Sequence, residues 1–470
     1  MTEETFLEIR NYLSKIIKGS EFENHTYIVG GSVRDYMLYM SINDIDLVVD
    51  LEDGGIRLAE WLEKNGYVKG HIYTYPTYGT AAFTLKEFPL EEIECVMTRR
   101  EQYKDKNSRN PETEYGTLEE DAFRRDFTCN ALYIPVEEGD VRIIDPTGNG
   151  LKDIEDKIIR LTSDPNIVFF EDPLRVLRCL RFKFKLNWSI EDETYEALKK
   201  YAERLVIVSK ERVYVELYKI MTCDFPSEAI RMMYDTGVLK YVIPELCETV
   251  NLTQNKYHFG DVFSHTLKTL SNIKSKDFVV RMAALLHDIG KIKTRTVDEK
   301  GNVHFYNHEK VSAEMAKDIL TNLKCSTEFM RRVCFLIENH MITKSWGDDL
   351  SRMKMKTLRK LQYKCKTYPR FKNLMELIDA DNNAHASEHC LPNQVGNIIR
   401  ITEELIKDKT DMFNYYPPVN GKDVMEVKNI GPSEKVKECL DYVMKLAFND
   451  PTMDRETMLK HVKGYKLKQN

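Results

Sequence analysis

The sequence Gly30-Gly31-Ser32-Val33-Arg34-Asp35, followed nine residues later by Asp44-Ile45-Asp46, determines how we interpret the first third of the chain. Paired glycines between a predicted strand (27–29) and a predicted helix (33–40) let the backbone approach phosphate oxygens closely. Asp44 and Asp46 alternate along a predicted strand, so both carboxylates lie on one face. Such a pair repels itself unless a divalent cation lies between the groups, as metal-assisted phosphoryl transfer requires. An ordinary turn and an edge-strand charge pair are the alternatives.

A third carboxylate would complete such a metal site. We choose Glu94 on a predicted strand at 93–97, with Glu92 as the fallback because it shares the same face. Further strands are predicted at 81–84 and 131–134, and a helix at 6–17. Residues 100–117 are charged and poor in apolar side chains, which predicts a mobile loop. The first third is therefore an α/β head.

Adjacent arginines occur in Arg124-Arg125-Asp126-Phe127-Thr128-Cys129-Asn130-Ala131, directly before an apolar segment. Arginine forks bind phosphate or the sugar of a nucleotide, and a neighbouring aspartate can hold the fork in place. A structural ion pair between Asp126 and one arginine is the alternative interpretation.

A second basic segment begins at Glu171-Asp172-Pro173, which is typical of a helix N-terminus. On this helix Arg178, Arg181 and Lys185 form a basic stripe beside an apolar one. Asp172 and Arg175 lie near the helix start, where an acceptor and a donor could read a base edge. The alternative is that the stripe is an exposed, solvated face.

Beyond residue 150 the spacing of apolar residues is almost wholly helical. His265, His287-Asp288, His308, His340 and Asp381 punctuate this region, and the pair in Leu286-His287-Asp288-Ile289-Gly290-Lys291 ends a strongly apolar helix. Burying adjacent His and Asp is costly unless a metal compensates. The alternative for any one histidine is a satisfied core residue.

Composition limits the classes of protein to consider. The chain has 470 residues, with 69 Lys and Arg against 75 Asp and Glu, and a net charge of −6. This length predicts about two to four domains, and the acidic balance requires any nucleic-acid site to be local. Lacking a run of about 20 apolar residues or a basic leader, the chain is expected to be soluble and cytoplasmic, with no membrane partner. The ten cysteines form no C-x-x-C pair and are expected to be buried reduced thiols.

Taken together, the ordered motifs resemble those of class II tRNA nucleotidyltransferases, the CCA-adding enzymes, and of bacterial poly(A) polymerases. The resemblance covers about residues 25–220 and includes Asp145-Pro-Thr-Gly148 and Glu211-Arg212-x-x-x-Glu216. Tyr39 departs from the family pattern, which usually has a glycine after the first helix, and puts that turn in doubt.

The resemblance implies a head of the DNA polymerase β nucleotidyltransferase type, with Asp44 and Asp46 as Mg²⁺ ligands and Glu94 beside them. It also implies that Asp172 and Arg175 act as a protein template for CTP and then ATP. The predicted nucleotide-binding residues are Gly30, Gly31, Arg34, Arg124, Asp126, Asn130, Asp172, Arg175, Arg178 and Arg181.

Residues 258–385 resemble the HD phosphohydrolase superfamily. The resemblance implies a divalent transition metal held by His265, His287, Asp288, His308, His340 and Asp381, with Asp379 as a possible substitute for Asp381. An intact set implies hydrolysis of phosphomonoesters or 2′,3′-cyclic phosphates.

We predict four segments: a nucleotidyltransferase head (1–150), a helical nucleotide- and RNA-binding domain (151–255), an HD domain (256–410) and a helical tail (411–470). The leading hypothesis is an enzyme that adds CTP and ATP to the 3′ end of tRNA. A poly(A) polymerase, or a partial enzyme adding only CC or only A, remains open. A rival from another class is an HD phosphohydrolase with an RNA-binding head. The sequence does not indicate an oligomeric state.

Overall fold

The computed structural model describes residues 1–76, 79–102, 112–254 and 260–467. The chain folds into two compact units. The first comprises Met1–Asp224 and Met232–Val242, and the second comprises Phe225–Arg231 and Ile243–Asn470.

The head of the first unit alternates strands and helices. In order these are α1 (Glu3–Ile17), β1 (Thr26–Val29), α2 (Gly31–Met37), β2 (Ile45–Val49), α3 (Gly54–Lys64), β3 (Tyr73–Tyr75), β4 (Thr80–Thr84), β5 (Glu92–Met97), β6 (Arg99–Gln102), β7 (Glu112–Tyr115), α4 (Leu118–Phe123) and β8 (Tyr133–Pro135).

The main sheet has six strands in the order β3-β4-β5-β2-β1-β8. Strands β2 and β5 are parallel, whereas β1 runs antiparallel to both β2 and β8. The central strand β2 is an apolar run, and its residues Leu47 to Val49 are fully buried. Because consecutive side chains point to opposite faces, both faces of this end of β2 are covered.

Two predictions about the head need correction. Helix α2 ends at Met37 rather than Met40. The predicted loop at 100–117 is partly strand, because β6 and β7 pair antiparallel and Arg100 forms an ion pair with Glu114. Its middle, residues 103–111, lies outside the described residues.

The rest of the first unit is helical apart from a two-residue parallel pair. Its elements are α5 (Gly150–Asp156), β9 (Ile158–Ile159), α6 (Pro165–Glu171), α7 (Leu174–Leu186), β10 (Ser189–Ile190), α8 (Asp192–Tyr201), α9 (Lys210–Met221), α10 (Pro226–Asp235), which also supplies residues to the second unit, and α11 (Leu239–Val242). Helix α7 follows Pro173 and ends where Asn187 takes a left-handed conformation.

The second unit is helical with one short hairpin. Its elements are α12 (Pro244–Cys247), α13 (Val262–Asn272), α14 (Phe278–Leu286), α15 (Lys291–Thr294), β11 (Arg295–Val297), β12 (Val303–Phe305), α16 (His308–Asn322), α17 (Thr327–Asn339), α18 (Met355–Cys365), α19 (Tyr368–Asn382), α20 (Gln394–Lys407), α21 (Gly421–Lys428), α22 (Glu434–Asn449) and α23 (Arg455–Gly464). The last three helices enclose an apolar core of their own.

Helix α14 is apolar on all sides, and every one of its residues is buried. It packs against α13, α17 and α19, so His287 and Asp288, which follow it directly, are carried into the middle of the unit. Six of the ten cysteines are buried and four, including Cys334, are partly buried, so that expectation holds for most of them. Within the described residues, no helix has both the length and the apolar character needed to cross a bilayer.

Candidate active site and metal centre

The predicted catalytic carboxylates lie at one end of the parallel pair β2 and β5. Asp46 is in register with Glu94, so the two side chains extend from the same face of neighbouring strands. The backbones of neighbouring strands lie about 4.8 Å apart. Asp44 is exposed and directly precedes β2 rather than lying within it. Glu92 is in register with Thr84 of β4. The register therefore favours Glu94 over Glu92 as the neighbour of Asp46.

The Asp46 carboxyl is partly buried, and this burial raises its pKa to about 6, with a further contribution from the charge of Glu94. Hard carboxylate oxygens are the ligands that Mg²⁺ prefers, so the donor set fits that ion. Within the described residues, the groups of three ligand atoms lying within 4.8 Å of one another belong to the second unit. Asp44, Asp46 and Glu94 do not form such a group.

The paired glycines bring the backbone against this carboxylate. Gly30 has φ +83°, a conformation that L side chains rarely adopt. A Cβ there would lie 3.5 Å from Oδ2 of Asp46 and 3.7 Å from Nη1 of Arg125. The turn therefore leaves this space open beside Asp46 and Arg125.

Next to the carboxylates is an arginine pocket, a cavity of about 280 Å³. It is lined by Arg99, Arg124, Arg125, Asp126, Asp172, Arg175 and Arg178. Five guanidinium groups around one cavity repel one another in the free protein, and an anion with several oxygens would relieve that repulsion. The pocket is therefore suited to a triphosphate.

Buried aspartates hold three of these arginines in place. Asp126 accepts two hydrogen bonds from Arg178, and the charge of Arg178 more than offsets burial, so the pKa of Asp126 lies below its usual range. Asp121 accepts from Nε and Nη2 of Arg124 and from the same two atoms of Arg125. Asp121 also accepts from the Tyr133 hydroxyl at 2.8 Å.

Sequence reasoning overlooked Asp121 and Arg99, and it quoted Arg125 beside Arg124 without including it among the predicted nucleotide-binding residues. Asp121 lies three and four residues before Arg124 and Arg125, a spacing that places them on one side of a helical turn. That spacing could have indicated from the sequence that Asp121 pairs with both arginines. Because Arg125 is held by Asp121 and lies beside Asp46, it connects the arginine pocket with the carboxylates.

Three predicted nucleotide-binding residues, Arg34, Asn130 and Arg181, form hydrogen bonds with other side chains of the protein. Arg34 is buried and donates to Asp35 and to Asn130. Arg181 donates to Glu216 at 3.1 Å, and burial lowers its pKa to about 10. Neither arginine lines the pocket, so both face carboxylate or amide oxygens of the protein itself. The basic stripe on α7 is therefore not simply a solvated face. Arg178 lines the arginine pocket, whereas Arg181 is paired with Glu216.

The two residues of the predicted template differ in exposure. Arg175 is buried and donates to the carbonyl of Arg124. Asp172 forms an ion pair with Arg212 of α9 at 3.0 Å, while its other oxygen accepts from the backbone NH of Leu174. Asp172 is thus held by two groups at the edge of the arginine pocket.

In the second unit, five buried or nearly buried histidines share one hydrogen-bonding arrangement. In each, Nδ1 faces a backbone carbonyl at 2.7–3.4 Å, which leaves Nε2 as the ligand atom: His265, His287, His308, His340 and His385. Metal-binding histidines are held in this way because the second nitrogen fixes the ring and its tautomer. Burial lowers the pKa of His340 to about 3, which keeps its imidazole in the neutral, metal-binding form.

Asp288 lies between two pairs of these histidines. Its Oδ2 is 3.5 Å from Nε2 of His265 and 3.3 Å from Nε2 of His287. Its Oδ1 is 3.2 Å from Nε2 of His308 and 4.0 Å from Nε2 of His340. His287 Nε2 is buried without a hydrogen-bond partner among the described residues. A buried imidazole nitrogen of this kind, next to a carboxylate, fits a metal centre.

The geometry favours Asp381 over Asp379 as the remaining ligand. Asp381 Oδ1 lies 3.0 Å from Nε2 of His265, and the two residues form a three-ligand group with His287. Asp379 instead accepts a hydrogen bond from Asn383 and lies near Lys274. The six predicted ligands are thus brought together from five helices or their ends.

Two lysines and His385 join this centre, and sequence reasoning missed Lys344 and His385. Lys291 Nζ lies 2.7 Å from Asp288, and Lys344 Nζ lies 2.9 Å from Asp381 and 3.3 Å from Nε2 of His385. Lys344 and His385 are 41 residues apart in the sequence, so no local pattern could reveal their contact.

Gly290 lets α16 approach the HD pair closely. A Cβ at Gly290 would lie 2.5 Å from the Ser312 backbone nitrogen and 2.6 Å from the His308 carbonyl oxygen. Because α16 carries His308, this contact sets the distance between His308 and Asp288. The glycine of the H-D-I-G-K sequence is thus required by packing.

Three family models match the chain. They are the poly A polymerase head domain at residues 26–160, the probable RNA and SrmB-binding site of polymerase A at 187–249, and the HD domain at 257–369. The first unit therefore contains a nucleotidyltransferase head, and the second contains an HD domain.

Relatives align over most of the chain. An A-adding tRNA nucleotidyltransferase of Deinococcus radiodurans is 30% identical over 426 residues, covering 88% of this chain and 89% of the relative. A multifunctional CCA protein of Pseudomonas fluorescens is 30% identical over 370 residues, covering 75% and 83%. One of Neisseria gonorrhoeae is 32% identical over 283 residues, covering 57% and 63%. The chain belongs to the tRNA nucleotidyltransferase family, which shares its head domain with poly(A) polymerases.

Solved structures share the fold. The CCA-adding enzyme of Bacillus stearothermophilus in complex with CTP has a TM-score of 0.69 at 20% identity, covering 98% of this chain and 97% of that one. The Thermotoga maritima CCA-adding enzyme complexed with tRNA has a TM-score of 0.57 at 20% identity, covering 98% and 95%. The predicted combination of a nucleotidyltransferase head and a helical body with an HD domain is confirmed, and the chain is a nucleotidyltransferase.

Proposed function

We propose that the chain adds C, C and A to the 3′ end of tRNA, using CTP and ATP. The terminal hydroxyl oxygen of the tRNA forms a bond to the α-phosphorus of the nucleotide, and the bond to pyrophosphate breaks. The observation that carries this proposal is the position of Arg125, which lines the arginine pocket and also lies beside Asp46. The proposed triphosphate site and the proposed metal-binding carboxylates therefore adjoin one another.

In this proposal the basic and acidic residues have different roles. Arg124, Arg125 and Arg178 bind triphosphate oxygens, and Asp172 with Arg175 reads the base. Asp44, Asp46 and Glu94 would hold Mg²⁺, which when bound activates the hydroxyl and neutralises the triphosphate. Mg²⁺ requires the ionised carboxylate, so the raised pKa of metal-free Asp46 predicts that Mg²⁺ binds more weakly as the pH falls toward 6. A cytoplasmic location, with tRNA and nucleotides as partners, is part of the proposal.

The number of nucleotides added separates this proposal from its neighbours. The assay supplies CTP and ATP, separately and together, to one tRNA lacking CCA and to another lacking only the terminal A. The expected product with both nucleotides is CCA on the first tRNA. Extension of the second tRNA alone would show an A-adding enzyme, and CTP incorporation alone would show a CC-adding one. Growth of an A tract on unstructured RNA would show a poly(A) polymerase.

Variants in β5 test the third carboxylate. Asp46→Ala is expected to abolish nucleotide incorporation, and Glu94→Gln to abolish most of it, because Glu94 is the neighbour of Asp46. Glu92→Gln is the matched control, being exposed and two residues away on the same face. Loss of incorporation in Glu92→Gln with retention in Glu94→Gln would reverse the assignment. Retained incorporation in Asp46→Ala would refute the metal site.

We propose a second activity, hydrolysis of phosphomonoesters or 2′,3′-cyclic phosphates at the HD centre. The shared orientation of five histidines around Asp288 and Asp381 favours it. A water oxygen would bond to phosphorus while the ester oxygen leaves with a proton. A divalent transition metal bound by this nitrogen-rich donor set would lower the pKa of that water.

Separate variants test the second activity. The purified chain is assayed on 2′,3′-cyclic AMP with Ni²⁺, Co²⁺, Mn²⁺ or Mg²⁺. His287→Ala and Asp288→Ala are expected to abolish hydrolysis and to leave nucleotide addition intact. If no metal supports hydrolysis by the intact chain, the second activity is refuted. Hydrolysis without any CTP or ATP incorporation would instead favour a phosphohydrolase with an RNA-binding head.

A further inference from the structure

The pocket above the HD centre has two chemically different ends. It is a cavity of about 610 Å³, within the range of small-molecule sites. At its buried end lie the carboxylates of Asp288 and Asp381 with the ammonium group of Lys291, all nearly inaccessible to solvent. At its exposed end lies Tyr306, which is 68% exposed. An occupant that spans the pocket therefore has an anionic or metal-binding end and a flat or apolar end.

The exposed end is an aromatic pair on the β11–β12 hairpin. The rings of His304 and Tyr306 stack with centroids 5.3 Å apart and planes inclined by 11°. His304 Nε2 is 3.0 Å from Oδ2 of Asp298, and Asp298 also accepts from Asn302 in the hairpin turn. These bonds hold the His304 ring in place. One face of Tyr306 is occupied by His304, and its exposure shows that much of the ring remains open.

The buried end holds two ammonium groups, each paired with a carboxylate. Lys344 bonds to Asp381 and Asn382, and Lys291 bonds to Asp288 and Gln254, so both ammonium groups lie beside predicted metal ligands. A phosphate at the centre would meet lysines as well as the metal. The two ends together match one chemical class, a phosphate joined through a sugar to a planar base.

We propose that Tyr306, supported by His304, is a base-stacking subsite of the HD pocket. It takes the base of a nucleotide whose phosphate lies at the metal centre. This inference rests on the phosphohydrolase activity proposed above. It states that the exposed ring of Tyr306 makes the HD centre prefer nucleotides over simple phosphate esters. Tyr306 is thus a specificity-determining residue, because it contacts the part of the substrate that does not react.

The test compares two substrates that differ in the base. The values of kcat/KM for 2′,3′-cyclic AMP and for the base-free ester glycerol 1,2-cyclic phosphate are measured with one metal, and their ratio is the readout. Loss of one base-aromatic stack predicts that Tyr306→Ala lowers this ratio roughly tenfold, chiefly through KM for cyclic AMP. Tyr306→Phe keeps the ring and should keep the ratio. Tyr416→Ala is the matched control, because Tyr416 is 86% exposed and does not line the pocket.

Each outcome decides the question. A ratio that is unchanged in Tyr306→Ala, or lowered equally in Tyr416→Ala, overturns the subsite. If the intact chain hydrolyses neither substrate with any metal, the phosphohydrolase proposal fails on its own. Equilibrium binding of 2′-AMP to the Mn²⁺-loaded intact chain and to Tyr306→Ala then tests the subsite directly. A roughly tenfold weaker affinity of the variant supports it, and equal affinities refute it.

Discussion

At the scale of single residues, Tyr39 shows how a departure from a family pattern is accommodated. The turn after α2 keeps its hydrogen bonds, with Tyr39 donating from its backbone to Tyr36 and Met40 to Asp35. Tyr39 reaches this turn with φ +53° while its side chain is 85% exposed. The turn thus forms without glycine, at the expense of a left-handed conformation that costs a non-glycine residue about 1 kcal/mol or more.

We therefore expect Tyr39→Gly to raise the free energy of unfolding by about 0.5–1 kcal/mol, since relief of the left-handed strain exceeds the entropy that glycine loses. Thermal denaturation of the intact chain measures the change. Tyr39→Ala is the matched control, because it removes the same side chain and retains the strained Cβ. Equal stability of the two variants would show that the turn is not strained.

Asp121 forms ion pairs with two arginines of the arginine pocket, Arg124 and Arg125. Burial works against its charge, but the guanidinium groups of Arg125 and Arg124 more than offset burial and lower its pKa to about 2. Asp121→Asn is expected to raise KM for CTP about tenfold, because Arg124 and Arg125 lose the carboxylate that aligns them. Steady-state kinetics with Asp140→Asn, an exposed surface aspartate, provides the control.

The same residue sets an acid limit on stability. Its folded pKa lies below the ordinary value of 3.8, so its contribution is fully present above about pH 4 and is lost as the pH falls toward 2. The shift corresponds to about 2 kcal/mol. Urea unfolding between pH 2 and pH 5 should show a shallower acid loss in Asp121→Asn than in the intact chain. If the free energy of unfolding fell equally with pH in both proteins, the arginine partners would not lower the pKa of Asp121.

At the scale of helices and strands, the sequence predicted best where apolar residues are buried. Strand β2 was predicted with its observed bounds because four of its five residues are apolar and Asp44 and Asp50 flank it. Strand β3 was missed because Tyr73 to Tyr75 are all exposed, so no alternation of polar and apolar residues marks it. Strands β6 and β7 were missed because cross-strand pairs such as Arg100 with Glu114 stabilise them, and such pairs are invisible in either segment alone.

The site followed the same rule. The structure places Asp46 in register with Glu94 in the first unit, and it groups His265, His287 and Asp381 in the second. Local sequence did not reveal that Arg181 faces Glu216, because the two residues lie 35 positions apart on different helices. Contacts of this kind depend on the packing of α7 against α9.

Packing of α7 against α9 also leads to a prediction about base selection. Arg212 of α9 is the ion-pair partner of Asp172, so it sets the direction of the proposed template carboxylate. Arg212→Ala is expected to lower the discrimination between CTP and ATP at the first added position about tenfold while nucleotide addition continues. Sequencing of the extended tRNA measures the misincorporated base.

The control for this prediction is Arg212→Lys, which keeps the charge but loses the planar fork, and which should lie between the intact chain and Arg212→Ala. Unchanged base selection in both variants would show that Asp172 does not depend on α9 for its orientation.

At the scale of the whole molecule, the two units offer two proposed centres with different sets of donor atoms. The first unit offers carboxylate oxygens and guanidinium groups, a donor set suited to Mg²⁺ and triphosphate. The second offers imidazole nitrogens with carboxylates, a set suited to transition metals. Because the donor chemistries differ, the two centres should respond separately to the metals supplied.

The arrangement around Asp288 predicts how many ions the second unit binds. One oxygen of Asp288 faces His265 and His287, with Asp381 beside them, and the other faces His308 and His340. A carboxylate placed in this way can bridge two ions, as in sites where paired metals hold one phosphate. We therefore expect two Mn²⁺ or Ni²⁺ ions per chain when Mg²⁺ occupies the head, measured by elemental analysis of the dialysed protein. His308→Ala should bind one ion and Asp288→Ala fewer than one, because Asp288 serves both positions. A single ion in the intact chain, or loss of both in His308→Ala, would show that the six ligands form one site.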